Sequence, residues 1–97
     1  SEIAKEYKLY PVYPNPFNPV TNIKYSIMPN AKVQMSNVSL IIFDILGREN
    51  AVLINESQLS GEYTVQWNAS ALPSGIYFIE LSVNSELKKK KKALLIK

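Results

Sequence analysis

Four of the six prolines in this 97-residue chain lie between Pro11 and Pro19, in the stretch Pro-Val-Tyr-Pro-Asn-Pro-Phe-Asn-Pro. Each proline holds its φ angle at about −65°, removes a backbone donor and pushes the preceding residue toward extended geometry. No regular element passes unbroken through such a segment, so a stiff, extended lead-in is expected. Its asparagine amides can close turns onto nearby backbone, and Tyr10, Tyr13 and Phe17 are expected to hold it against a sheet. The segment is either a linker or a feature that a partner recognises.

The remainder of the chain alternates apolar and polar residues in short runs that turn signals separate. Gly47 supplies the turn of one expected hairpin, and Pro29-Asn30 and Asn84-Ser85 mark two further turns. Turn signals recur roughly every 8 to 12 residues, and no long helical periodicity is present. The pattern predicts an all-β fold, an immunoglobulin-like β-sandwich of about seven strands with Greek-key connections. The strands with the clearest pattern cover residues 21–27, 38–45, 51–54, 62–67, 76–83 and 87–97.

The inward phases of these strands predict the core. Trp67 is the largest side chain available, and it shares a face of its strand with Tyr63 and Val65. Tyr77 follows Leu-Pro-Ser-Gly-Ile, an order typical of a tyrosine corner, in which a tyrosine hydroxyl bonds back to the preceding loop. The predicted core therefore includes Leu40, Ile42, Trp67, Tyr77 and Ile79.

The length fits one small domain. We expect it to cover residues 9–97, after a linker or frayed N-terminus at residues 1–8. Ser1 in place of Met indicates a piece of a larger protein. No apolar run approaches the roughly 20 residues that span a membrane, so no membrane span is expected.

The basic residues are concentrated in one place. The net charge is +3, but six of the eleven basic residues lie in residues 88–97, and the rest of the chain carries −3. Nucleic-acid binding favours basic residues dispersed with aromatic ones, whereas Lys88 to Lys92 form an uninterrupted run. We therefore expect no nucleic-acid partner and interpret the run as a solvated edge strand, where lysines discourage sheet-to-sheet aggregation.

The residue types that carry most catalysis are missing. The chain has no His, no Cys and one Asp, Asp44, beside seven scattered glutamates. Acid-base and nucleophilic chemistry need paired groups of these types, and calcium needs several clustered oxygen ligands. No enzyme, cofactor or metal site is expected. Trp67 could stack on a sugar, but its inward phase favours a core position.

Four motifs follow one another along the chain. They are Tyr13 to Pro19, the central Ile-Phe-Asp-Ile-Leu-Gly-Arg-Glu at residues 42–49, Trp67-Asn68 with Ser74 to Phe78, and the closing Lys-Ala-Leu-Leu-Ile-Lys at residues 92–97. In this order they resemble the C-terminal sorting domains of type IX secretion. The resemblance covers about residues 9 to 97. The immunoglobulin-like domain of flagellar hook-capping proteins shares much of the pattern.

The resemblance implies a non-catalytic targeting module that Gram-negative bacteria export through the periplasm to the outside or the cell surface. Its implied partners are an outer-membrane translocon, a sortase-like peptidase and a cargo domain in the same chain. Carried over motif by motif, the sorting candidates are Pro14, Asn15, Pro16, Gly47, Gly75, Tyr77, Lys92, Leu94, Leu95 and Lys97.

Two other functions fit the sequence. A generic immunoglobulin-like spacer or adhesion domain of an extracellular enzyme would share the fold, and so would a carbohydrate-binding accessory domain. The sequence upstream of Ser1 would separate these readings, because a sorting domain follows a secreted cargo.

Overall fold

The structure is a computed structural model that describes residues 6–28, 35–85 and 87–97. Seven strands form among these residues. The prediction of an all-β sandwich is confirmed. No helix long and apolar enough to cross a membrane is found among these residues. The strands are β1 (Glu6–Leu9), β2 (Val20–Met28), β3 (Ser36–Asp44), β4 (Glu49–Gln58), β5 (Gly61–Asn68), β6 (Gly75–Val83) and β7 (Leu87–Leu95).

The strands make two antiparallel sheets with the orders β1-β2-β5 and β4-β3-β6-β7. Neighbours such as β2 with β5 and β3 with β6 are not consecutive in the chain, which is the Greek-key arrangement that the sequence predicts. Asp44 pairs with Tyr77, and Gly75 pairs with Leu95. The end of β3, the start of β6 and the end of β7 therefore lie together at one end of the sandwich.

The core lies between the sheets and contains the inward residues of both. All five predicted core residues are buried, and Trp67 is 3% exposed. Tyr63 and Val65 share the inward phase of β5 but are only half-buried. The β3–β4 hairpin and the Asn84-Ser85 turn form as predicted, and both turn residues have positive φ. The turn predicted at Pro29-Asn30 lies outside the described residues.

Two predictions near the N-terminus need correction. β1 begins at Glu6, inside the segment expected to be a linker, because Tyr7 and Leu9 bury their side chains as β1 pairs with β2. Residues 1–5 of that segment lie outside the described residues. Tyr13 does not clamp the proline segment, since its side chain is 78% exposed, whereas Phe17 is buried. Tyr10 is half-buried, with the Lys24 ammonium 5.1 Å from its ring centroid.

β4 and β7 also differ in extent from their predictions. The polar residues 55–58, expected in a loop, continue β4 because their backbone pairs with the first residues of β3. β7 ends at Leu95 rather than at residue 97. It is an edge strand on which Lys88, Lys90 and Lys92 are exposed and Lys91 is half-buried, in keeping with the solvated edge that the lysine run predicts.

Candidate functional site

The proline segment, residues 11–19, crosses from the β1 side of one sheet to the outer edge of β7 in the other. At that edge the side-chain amide of Asn15 makes hydrogen bonds that the backbone of a neighbouring strand would otherwise make. Its Nδ2 donates to the Lys92 carbonyl at 3.0 Å, and its Oδ1 accepts from the Leu94 backbone amide at 2.9 Å. One side chain thus satisfies two backbone groups that an edge strand otherwise exposes.

Phe17 continues this pairing along β7. Its backbone amide donates to the Leu94 carbonyl at 2.9 Å, and the Ile96 amide donates to the Phe17 carbonyl at 3.0 Å. The Phe17 ring lies 5.1 Å from the Trp67 ring between centroids, and Tyr77 meets Trp67 edge-on at 5.8 Å. Apolar burial and backbone bonds therefore seat the proline segment on both the core and the β7 edge.

Pro14 and Pro16 flank the Asn15 pairing. The Pro14 carbonyl accepts a hydrogen bond of 2.6 Å from the hydroxyl of Thr21, a buried residue of β2. Tyr13 and Asn22 exchange backbone hydrogen bonds just before it. Both prolines are exposed, so their rings are accessible while the backbone between them is fixed.

Lys97 is bonded to the loop that joins β5 and β6. Its Nζ donates to the Ser70 carbonyl at 2.7 Å and the Leu72 carbonyl at 2.9 Å. Its backbone amide donates to the Ser74 hydroxyl at 2.9 Å. The ammonium therefore supplies donors to loop carbonyls, as a basic side chain does at a helix end.

The β3–β4 turn is organised by Asp44. One carboxylate oxygen accepts from the amides of Leu46 and Arg48 at 2.9 and 3.0 Å, and the other accepts from Arg48 Nε at 2.9 Å. Gly47 donates its amide to the Asp44 carbonyl with φ at +81°, a left-handed conformation that glycine adopts without strain. The Arg48 backbone amide, with the Arg48 side chain and the Leu46 amide, holds the pKa of Asp44 below its ordinary value.

Tyr77 makes the predicted tyrosine corner. Its hydroxyl donates to the Pro73 carbonyl at 2.6 Å. Desolvation, with a smaller contribution from the Asp44 charge, raises the pKa of Tyr77 above its ordinary value, so the hydroxyl stays protonated as a donor. The β5–β6 loop is thus held at two places. The Tyr77 hydroxyl bonds to its Pro73 carbonyl, and the Lys97 ammonium bonds to its Ser70 and Leu72 carbonyls.

The structure brings the ten sorting candidates to one end of the sandwich. We call this region the end surface: the proline segment, the β3–β4 turn at residues 45–48, the β5–β6 loop with the start of β6 at residues 69–77, and the chain from Lys92 to Lys97. A cavity of about 360 Å³ opens beside it and is lined by Gly75 and Tyr77 among others. Gly47 borders a neighbouring cavity of about 290 Å³. Leu95 is buried and packs in the core.

Sequence reasoning missed several residues that build the end surface. The Thr21 hydroxyl donates one hydrogen bond and the Ser74 hydroxyl accepts one, and nothing in the local sequence around either residue marks it. Asp44 was considered only as a metal ligand, although an Asp at the start of a glycine turn is a recognisable turn signal, because its carboxylate can accept a bond from the backbone amide two residues on. Among residues 6–28, 35–85 and 87–97, no three potential metal-ligating side chains form a cluster.

Hydrogen bonds within the domain organise this end of the sandwich, and its carboxylate, Asp44, is paired with Arg48. The family profile of the secretion system C-terminal sorting domain matches residues 11–97. The chain belongs to this family, which serves as the non-catalytic sorting signal of type IX secretion. No curated protein matches the sequence.

Solved structures share the fold at low identity. Dimeric latent PorU from Porphyromonas gingivalis is 19% identical with a TM-score of 0.67, over 96% of this chain and 9% of that one. A beta-glucosidase from Listeria innocua is 13% identical with a TM-score of 0.70, over 96% of this chain and 16% of that one. The sensor domain of the anti-sigma factor RsgI4 in Pseudobacteroides cellulosolvens is 13% identical with a TM-score of 0.64, over 95% and 96%. The chain thus spans about a sixth of the beta-glucosidase that it matches.

Proposed function

We propose that this domain directs a cargo in the same chain through the type IX translocon of the outer membrane, and that the translocon binds its end surface. A sortase-like peptidase then separates the domain from the cargo, which is retained at the cell surface or released. The domain itself performs no chemistry in this process. Its residues act by being bound, or by holding the bound surface in shape.

The observation that carries the proposal is the pairing of the Asn15 side-chain amide with β7. Its two hydrogen bonds join residues that are 77 and 79 positions apart, the first sorting motif and the last. Two motifs that are remote in sequence therefore form one surface only in the folded domain. A translocon that reads this surface would accept folded sorting domains and ignore unfolded chains.

The proposed export is tested with a fusion. Residues 1–97 follow a periplasmic reporter, because β1 begins at Glu6 and a fusion from residue 9 would remove it. In a bacterium with type IX machinery the reporter should reach the outside, and in a strain without the translocon it should stay in the periplasm. Retention of the reporter while a known sorting domain is exported in parallel would contradict the proposal.

Point variants separate recognition from folding. Asn15→Ala should lower export, while Asn55→Ala, at an exposed position of β4, should leave it unchanged. Circular dichroism must show that both variants melt cooperatively above the growth temperature. Deleting residues 92–97 is less informative, because it removes the buried Ala93 and Leu95 along with the motif.

Peptidase cleavage has its own readout. Mass spectrometry of the exported reporter should find the cargo without this domain, and inactivation of the peptidase should restore the full fusion. An exported reporter that keeps the domain in both strains would remove the cleavage step and leave the sorting step intact.

The carbohydrate-binding alternative has less support. Trp67, the aromatic residue proposed to stack on a sugar, is buried against Phe17 and Tyr77. The spacer alternative shares the fold and is separated from sorting by the fusion experiment alone.

A further inference from the structure

The end surface carries five exposed apolar side chains, which we call the apolar patch: Ile45, Leu46, Ile76, Leu94 and Ile96. Ile45, Leu46 and Ile76 line the cavity of about 360 Å³, and the Leu46 side chain is 71% exposed. Leu94 is the cross-strand partner of Ile76 and therefore extends the same face, with Ile96 next along it. All five side chains are among the exposed large hydrophobic residues of the domain. Contiguous exposed apolar side chains of this kind mark interaction sites.

Several polar groups around this patch already form hydrogen bonds within the domain. Both polar atoms of the Asn15 amide bond to β7, and the Lys97 ammonium bonds to two loop carbonyls. Both Asp44 oxygens accept hydrogen bonds, and Asp44 forms an ion pair with Arg48. These bonds hold the strands and loops that carry the patch, so the residues that make them position the patch.

The charge of the cavity lining therefore favours a partner that inserts an uncharged group. Asp44 and Arg48 are the charged residues that line the cavity, and they form an ion pair, so the lining has no net charge and a charged group entering there would lose its hydration without meeting a net opposite charge. An aliphatic or aromatic side chain would gain the burial of Leu46 and Ile76 without breaking a bond. Interface cores are depleted in charged residues, and aromatic side chains buried in pockets are among the residues that contribute most binding energy.

We propose that a protein segment of the secretion machinery binds the end surface by inserting an uncharged aliphatic or aromatic side chain into the cavity beside Ile45, Leu46 and Ile76. This inference rests on the proposed sorting function and specifies what the translocon recognises. Asn15 and Lys97 act as positioning residues that hold the apolar patch, and they do not contact the partner through their side-chain polar groups.

The chain provides a matched pair of leucines for the test. Leu46 lies in the β3–β4 turn at the end surface, and Leu59 follows β4 at the opposite end, with 48% of its side chain exposed. Serine at either position keeps the backbone bonds, which are the Leu46 amide to Asp44 and the Tyr63 hydroxyl to the Leu59 carbonyl. Leu46→Ser and Leu59→Ser therefore remove the same side chain from two ends of one fold.

The first measurement is export of the full-chain reporter fusion. Leu46→Ser should lower the export rate at least about fivefold, because it removes part of the apolar lining that receives the partner's side chain, and Leu59→Ser should leave the rate within about twofold. Equal export of the two variants, with the wild-type fusion exported, would overturn the apolar anchor and leave the sorting function standing. If the wild-type fusion is itself retained in the periplasm, the sorting function fails first.

The second measurement is competition in the periplasm. Overproduced wild-type domain without cargo should slow export of the fusion, Leu59→Ser should slow it equally, and Leu46→Ser should not. Sedimentation of the purified domain addresses another occupant. A concentration-dependent dimer that Leu46→Ser abolishes would overturn the proposal in favour of a second copy, whereas a monomer at all concentrations supports it.

Discussion

Asn15→Ala should destabilise the domain through the loss of two specific hydrogen bonds. Each intramolecular hydrogen bond contributes about 0.5–1.5 kcal/mol net. Both bonds are exposed, so water can partly replace them, and the expected loss in free energy of unfolding is about 1–2 kcal/mol. Against a total stability of about 5–15 kcal/mol for a domain of this size, the loss should be easily measured.

The assay is equilibrium unfolding in urea, followed by circular dichroism, with thermal melting alongside. A loss of this size corresponds to a fall of roughly 4–16 °C in the melting temperature. Asn15→Asp keeps an oxygen that accepts from the Leu94 amide but loses the donor to the Lys92 carbonyl. Its stability should therefore not exceed that of the wild type, and its Leu94 bond should remain.

Hydrogen exchange reports the same bond at one residue. The Leu94 amide donates to Asn15 Oδ1, so its exchange should accelerate in Asn15→Ala and stay slow in Asn15→Asp. Asn55→Ala is the control for a generic surface change. If Asn15→Ala lowers the free energy of unfolding no more than Asn55→Ala does, and the exchange of the Leu94 backbone amide is unchanged, the Asn15 side chain does not hold the proline segment on β7.

Two further predictions concern the core and the turn. Trp67→Ala should cost about 3–5 kcal/mol in urea unfolding, because it empties the space between Phe17 and Tyr77, and a loss under about 1 kcal/mol would contradict the packing. Because the pKa of Asp44 is lower in the folded state than its ordinary value of 3.8, the ionised carboxylate stabilises the fold at pH values above 3.8. This stabilisation is lost as the pH falls through the lower pKa of the folded state. The urea midpoint of the wild type should therefore fall more steeply below pH 3.8 than that of Asp44→Asn, and parallel pH profiles for the two proteins would rule out this role for the carboxylate.

The alternation of apolar residues was sufficient to predict the sandwich and much of its core. β6 was predicted at residues 76–83 and forms at Gly75–Val83, because every second side chain in it is apolar and buried. Trp67 and the Tyr77 corner were predicted for the same reason, since strand phase and a loop of a few residues are local properties. The five core predictions are confirmed.

Strand ends and edges were less predictable. The polar residues 55–58 carry no apolar pattern, yet they join β4 because the exposed backbone of β3 beside them needs partners. Tyr13 and Phe17 are both aromatic and lie in one proline segment, but only Phe17 faces the core. The spacing of prolines restricts backbone angles and does not indicate which side chain turns inward.

The sequence alone determined the strand phases and the glycine turn at Gly47, because each depends on residues within a few positions. Only the tertiary structure decided that Asn15 meets Lys92 and Leu94, and that the Lys97 ammonium meets the β5–β6 loop. Those contacts form between residues 25 to 79 positions apart after two sheets have packed together. The end surface is therefore a product of the packing of the sheets, which no local spacing of residues encodes.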